Sequence, residues 1–300
     1  KIDYNIILFL ISKMIDIKKE LETNGYVVIP DVISKEKIEI AKKLFREWQA
    51  TIPNHDKYHH KIDPHGIYKF HYAGHTKHAW YLRTLPEVQA IYKQLWNCDK
   101  LITSFDGCCY IAKDLTKKDS CWTHTDQAPS SKGVKCYQGF LALTSNKERT
   151  LVAYEGSHKL HERYFVDRGI TSNTNWHKID PKYLETIKDT KRALHVPAGA
   201  LVLWESRTFH QNQYGKPNSE ERMIQYICMF PDNHPKNTAA IKKKRLKYFT
   251  DRRTTSHWPC PIHVNGLQPQ TYGDKSRLID YSAVVKYDFT ELNDEIMKLL

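Results

Sequence analysis

Apolar residues recur along this chain at two different periods, and the change from one to the other organises it. Up to Trp96 they come at spacings of three and four. Ile38, Ala41, Leu44, Phe45 and Trp48 share one face of a helix capped by Ser34, and Val88, Ile91, Tyr92, Leu95 and Trp96 share one face of a second helix opening at Pro86. A shorter helix is predicted over 15–24, stopped by Gly25, with a short buried strand at Tyr26–Ile29. From Leu101 onward the pattern becomes short apolar runs, at 101–105, 108–112, 121–126, 136–144, 151–154, 193–196, 201–204 and 222–229. Eight strands with irregular connections suit a jelly roll, a double-sheet fold with its site in the mouth. The expected class is therefore α+β, mostly β, with helices buttressing the sheets.

This reading places a single domain over 1–300: helical support and a substrate loop at 16–99, a jelly-roll core at 100–230, and a C-terminal extension at 231–300. Seven histidines between His55 and His78 mix with Tyr58, Tyr68 and Tyr72. The His71 to His75 spacing would suit a second metal on a helix, but Pro64, Gly66 and Gly74 argue against a helix there. The segment reads instead as a solvated loop or as a lid over the site. The insert 158–189, with one predicted helix at 181–188, is the least constrained part of the middle. Cys108 and Cys109 alternate across a strand and read as small core residues.

Composition narrows the class. Three hundred residues with 40% hydrophobic content and 12 glycines can bury a sizeable core. Seven cysteines without a C-x-x-C pair argue against a disulfide framework or structural zinc and favour a reducing, intracellular, cytoplasmic setting. A formal charge of +12 implies attraction to anionic partners and tilts the substrate toward an anion. The basic stretch 241–253 holds five cations between Lys242 and Lys247. Such runs bind nucleic acid or direct nuclear entry, yet more often form the wet face of a helix, here with Ile241, Leu246 and Phe249 as its buried side. The apolar run Ile6–Ile11 is too short to cross a bilayer or to form the core of a secretory signal, and reads as a helix packed on the domain or preceding it. Met14 is an alternative natural start.

The candidate chemistry lies in C-W-T-H-T-D-Q-A-P, residues 121–129. His124 and Asp126 stand two apart in a predicted strand, so their side chains converge on one face, while Thr125 and Trp122 are expected to point away. Completed by a distant histidine, the pair makes a 2-His-1-carboxylate triad that holds non-heme Fe(II) with positions left open. The triplet alone is weak, since about two would arise here by chance. Downstream, an apolar strand at 201–204, His210, a polar turn with Gly215 and Pro217, and an alternating strand at 222–229 suggest an antiparallel pair. Arg222 would then fold back toward the metal, where its planar fork suits a dicarboxylic acid.

At this point the chain resembles the phytanoyl-CoA dioxygenase-like Fe(II)/2-oxoglutarate oxygenases. G-Y-V-V-I-P-D-V-I-S at 25–34, W-T-H-T-D-Q at 122–127, G-F-L-A-L-T at 139–144 with E-G-S-H-K at 155–159, and the His210 to Arg222 segment match that family in order, over residues 16–230. Three positions depart from its pattern: Glu155 replaces a proline, Gln211-Asn212 replaces a pair of small residues, and Ile224 stands where a serine often assists the arginine. The resemblance implies that His124, Asp126 and His210 hold Fe(2+), that Arg222 anchors 2-oxoglutarate, and that molecular oxygen is consumed to hydroxylate a C–H bond of a small molecule, releasing succinate and CO2. Asp126 favours hydroxylation, because related halogenases carry a small residue there. Tyr110, Lys113, Gln127 and Trp204 are further candidates for the cofactor pocket by their place on adjoining strands. Two other classes use the same residues: a barrel that binds a small molecule or nucleic acid without redox turnover, and a metal-dependent hydrolase. Neither calls for Arg222.

Overall fold

The structure, a computed structural model, describes residues 16–300; the run at 6–11 and Met14 lie outside them. These residues pack as two compact units, each drawing on stretches far apart in sequence. One comprises residues 16–31 and Ile111–Arg222, the other Val32–Tyr110 and Met223–Leu300.

The first unit opens with the Ile17–Asn24 helix, whose first turn is capped by the Asp16 carboxylate accepting from the Lys19 amide at 3.1 Å. Gly25 ends it in the left-handed region at φ 83°, donating to the Leu21 carbonyl. A Cβ there would also come within 2.5 Å of His158 Nδ1, so both conformation and space demand glycine. The chain leaves this cap directly into strand β1, Tyr26–Ile29.

Chain order then gives β2 (Leu101–Thr103), β3 (Cys108–Ile111), β4 (His124–Thr125), β5 (Tyr137–Ala142), β6 (Leu151–Tyr154), β7 (His177–Lys178), β8 (Lys191–Ala193), β9 (Leu201–Glu205), β10 (His210–Asn212), β11 (Arg222–Tyr226) and β12 (Met229–Pro231). Within the first unit β9 lies between β1 and β5, antiparallel to both, with Gln138 opposite Trp204 and Val28 opposite Val202. A second antiparallel sheet runs β7-β4-β10-β6-β8. The class is the expected one, antiparallel sheets of a jelly roll with added helices.

Four details differ from expectation. The neighbours of β9 are β1 and β5, and those of β10 are β4 and β6, so the expected antiparallel pairing of 201–204 with 222–229 does not form. An apolar strand and a following polar turn do not identify which strand will be the partner. Residues 121–126 are extended as a strand only at His124–Thr125. The strand expected at 193–196 is displaced to Lys191–Ala193, and the insert supplies β7, paired with β4.

In the second unit the Lys35–Gln49 and Lys77–Thr84 helices pack on one another, burying Phe45, Trp48 and Trp80. The Pro86–Trp96 helix lies against β2 and β12, with the Tyr92 hydroxyl donating to the Ile227 carbonyl at 2.5 Å. The histidine-rich segment is not a solvated loop. It opens with a helix, His55–Ile62, because the helix breakers begin only at Pro64, and it buries His59, His71, His75 and His78. The basic helix, Ala239–Thr250, also corrects its expected orientation: Leu246 is exposed and Arg245 is buried. Arg245 donates to the carbonyls of Leu300, Pro259, Thr103 and Leu299 at 2.7–3.0 Å, so a cation takes the inward position by serving four carbonyls at once. Arg83 does the same for the Gly74 and Asp106 carbonyls. All seven cysteines are thiols; Cys108 and Cys109 are both buried. Among the described residues no helix is long and apolar enough to cross a membrane.

The buried histidines make stability depend on pH. Burial holds His71 at about 4; burial first, then the Arg83 charge, holds His78 at about 3; the ordinary value is 6.5. Both rings are neutral when folded and take up protons on unfolding between those values and 6.5, so within that window the unfolded chain binds more protons. Unfolding free energy should therefore fall as pH drops from about 6.5 toward about 4. Urea denaturation across that range should show a declining midpoint, and His78→Phe should make the decline shallower; a flat wild-type profile would contradict the assignment of neutral buried rings.

Candidate metal centre

The site is assembled by strand register. β4 and β10 pair so that His210 lies directly opposite His124, their ring centroids 4.4 Å apart. Asp126 follows β4 immediately, its backbone amide held by the Ser206 carbonyl at 3.0 Å. Residues directly opposite on antiparallel strands project to one face, so register alone brings both imidazoles together. His124 Nε2 lies 3.5 Å and His210 Nε2 3.2 Å from the same carboxylate oxygen, Asp126 Oδ2. One atom from each residue falls within 4.8 Å of the others, and all three residues are buried.

The other nitrogen of each ring decides what this cluster can do. His124 Nδ1 lies 3.1 Å from the Trp122 carbonyl, and His210 Nδ1 lies 2.8 Å from the Thr208 carbonyl. A carbonyl only accepts, so Nδ1 carries a proton in both rings, and in a neutral ring it is then Nε2 that turns a lone pair inward. Burial and the neighbouring His124 push His210 below its ordinary value, which favours that neutral form. In that form two imine nitrogens and a carboxylate oxygen converge, an arrangement that a divalent cation would satisfy. The separations approach the roughly 3 Å ligand-to-ligand edge of an octahedral shell with bonds of about 2.1 Å.

From His210 a line of aromatic contacts leads to a buried cation. The Trp204 ring lies 5.4 Å from His210, Phe140 lies 6.0 Å from Trp204, and the Arg222 guanidinium sits 5.4 Å from the Phe140 centroid. Arg222 is 0% exposed; its Nε donates to Asn146 Oδ1 at 3.2 Å, while Nη1 and Nη2 are buried without a partner. Trp204 Nε1 is likewise buried and unpartnered. Buried guanidinium nitrogens with nothing to donate to are costly, and a carboxylate meets both at once.

The remaining predicted residues fall elsewhere. Gln127 spends both amide protons on the Ser131 and Gly133 carbonyls and accepts from the Ser206 hydroxyl, anchoring the loop after Asp126. The Lys113 side chain is exposed. Tyr110 lies in the second unit, beneath Arg46 and beside His55. Thr125 turns its hydroxyl to the Ser206 carbonyl, whereas Trp122, expected to point away, stacks on His124 at 4.8 Å. The correction is geometric: a residue two before His124 shares its face in an extended chain.

Gln138 and Asn146, not singled out in the sequence, and Gln211, noted there only as a departure from the family pattern, complete the site. Gln138 donates to Asp126 Oδ2 at 2.9 Å; it stands opposite Trp204 and two before Phe140, so alternation along β5 places it on the inner face. Asn146 orients the guanidinium, with no sequence signal to mark it. Gln211 accepts from the Trp122 amide at 3.1 Å and the Thr123 hydroxyl at 2.7 Å, a role in holding the ligand strand that no pattern announces.

Residues 21–213 match the family model described as phytanoyl-CoA dioxygenase (PhyH). Ava biosynthesis cluster protein O from Aspergillus versicolor is 29% identical over 257 residues, covering 76% of this chain and 82% of that protein. Among solved structures, GlcNAc Inducible Gene 2 from Candida albicans is similar with a TM-score of 0.58 at 16% identity, over 72% of this chain and 63% of that one, so the chain spans less than two thirds of its length. The apo form of the non-heme monooxygenase ThoJ is similar with a TM-score of 0.50 at 13% identity, over 73% and 78% of the two chains. These structural likenesses bear on the fold.

If Gln138 orients the ligating carboxylate, Gln138→Leu should weaken divalent metal binding about tenfold to a hundredfold with the fold intact. Titration with Co(II), followed by visible absorption and calorimetry, checks this; an unchanged affinity would remove Gln138 from the site.

Proposed function

The chain belongs to the phytanoyl-CoA dioxygenase family, a family of oxygenases, and from that premise we propose that it is an Fe(II)- and 2-oxoglutarate-dependent hydroxylase of a small molecule. The observation that carries the reading is the pair of buried, unpartnered Arg222 nitrogens joined to the His124–Asp126–His210 cluster through Trp204 and Phe140. A hydrolase or a non-redox binding barrel leaves that cation unexplained.

Each residue has a distinct task. His124, Asp126 and His210 would hold Fe(II), the two rings oriented with Nε2 inward by their carbonyl partners and the carboxylate aimed by Gln138. Arg222 would grip the far carboxylate of 2-oxoglutarate, its own orientation set by Asn146. Trp204 and Phe140 line the way between, and their rings exclude water from the space where oxidation occurs. Bound together, the ion and the cosubstrate supply the oxidative step, in which one oxygen atom of O2 enters succinate, formed from 2-oxoglutarate with loss of CO2, and the other a substrate C–H bond. The protein contributes position, neutral ligands and a dry site. Similarity to a protein of a biosynthetic cluster supports a small-molecule substrate.

Asp126→Ala should abolish oxygen-dependent succinate formation, measured after anaerobic Fe(II) loading; full activity in that variant would refute the ligand assignment. Arg222→Ala should raise the 2-oxoglutarate concentration required by about a hundredfold, as expected when a buried charge pair loses one member. The visible absorption that Fe(II) and 2-oxoglutarate produce together in the absence of oxygen reports this directly, and an unaltered titration would show that Arg222 has a purely structural role.

A further inference from the structure

Resting on the oxygenase reading, we infer that β7 and the residue before it form the substrate-facing wall of the metal centre, and that they select a substrate combining a flat ring with an anionic group. The substrate class is thus an aromatic acid. Trp176 supplies the ring contact and Lys178 the cation.

The triad keeps a little solvent exposure, 7% at the His124 side chain, 10% at Asp126 and 6% at His210, so the centre is reached from outside on the side these groups face. Trp176 stands there. Its indole stacks on the His124 ring at 5.5 Å and 29°, yet 53% of the residue is exposed. A large apolar side chain held against a metal ligand and left half uncovered offers its free surface to whatever approaches the metal. Trp122 also stacks on His124, but its indole nitrogen is tied to the Asn212 carbonyl at 2.9 Å, so it belongs to the frame.

The segment carrying Trp176 is fixed in place. Asn175 accepts from the Ala128 amide at 3.2 Å, the Ser130 amide donates to the Ser172 carbonyl at 3.2 Å, and the Ile179 amide donates to the Thr123 carbonyl at 2.8 Å. These bonds pin it to the chain on both sides of the His124–Asp126 pair. Alternation then sorts its side chains. His177, opposite Thr125, turns to the other face and packs on Phe165 at 5.3 Å. Lys178 is opposite His124 and so projects to the metal-bearing face. It is exposed and makes no ion pair among the described residues, whereas Arg192, two strands beyond His210 on that face, is engaged by Glu155 and the Asp189 carbonyl. A ring platform and an unspent cation two residues apart match the two parts of one ligand.

The test is equilibrium binding without turnover. Anaerobic protein is loaded with Fe(II) and 2-oxoglutarate until its visible band appears, then titrated calorimetrically with indole-3-propionate and with the uncharged indole-3-propionamide. Wild type should bind both, the acid more tightly and with an affinity that falls as salt is raised. Trp176→Ala should weaken both probes about tenfold, with recovery in Trp176→Phe, while Lys178→Gln should weaken only the acid, also about tenfold. Both sites are exposed, and the band itself verifies that each variant retains its centre. Absence of the band in wild type removes the oxygenase reading and this inference with it. A normal band with no binding of either probe, or with binding unmoved by both substitutions, overturns the inference alone.

Discussion

Two backbone carbonyls, those of Trp122 and Thr208, set the orientation of the two histidine rings at the candidate centre. Each takes the Nδ1 proton of the histidine two residues later, and so fixes which nitrogen looks inward. Without that constraint either ring could present an N–H to Asp126, and the cluster would be an ordinary buried network of hydrogen bonds. With it, three lone-pair donors can be held at short range in a buried setting, an arrangement that a bound cation would relieve. The same logic operates at Arg222, whose buried Nη1 and Nη2 lack an acceptor. The two ends of the site carry opposite deficits, a missing cation and a missing anion, and a chelated metal with a small diacid supplies both.

The sheets exist to make those deficits coincide. His124 and His210 meet because β4 and β10 pair in one register, and a slip by one residue would turn either ring to the opposite face. Gln138 and Phe140 reach the site from β5 through the same alternation, with Trp204 opposite Gln138 on β9. Pairing with β7 then brings the insert to the edge of the ligand strand.

What could be read in the sequence follows from how local each signal is. The helices at 35–49 and 86–96, the Ser34 cap and the Gly25 stop depend on residues within a turn or two, and they stand where the spacing put them. The H-x-D pair and His210 were legible as chemistry only together with Arg222 and the ordered family segments around them, since an H-x-D triplet alone is expected by chance. Strand partners were not: nothing in the apolar run at 201–204 distinguishes β1 and β5 from the Arg222 strand. The inward turn of Arg245 was hidden for a related reason. A helix face rich in lysine reads as wet, and only the tertiary fold reveals four carbonyls waiting for one guanidinium. In the histidine-rich segment, breakers near its centre obscured the helix that precedes them.

Gln211 adds a consequence of its own. Standing beside His210, it clasps the main chain and the hydroxyl that lead into His124, so a side chain joins the two ligand strands independently of any ion. That brace would hold the proposed ligand set in place before loading, so that an ion could depart and another arrive without the polypeptide reorganising. A scaffold of that kind discriminates little by fit among first-row divalent metals, whose affinities for nitrogen and oxygen donors rise toward copper. Occupancy then follows from which metals the surroundings make available, and a tighter-binding intruder would silence the enzyme while leaving its architecture untouched.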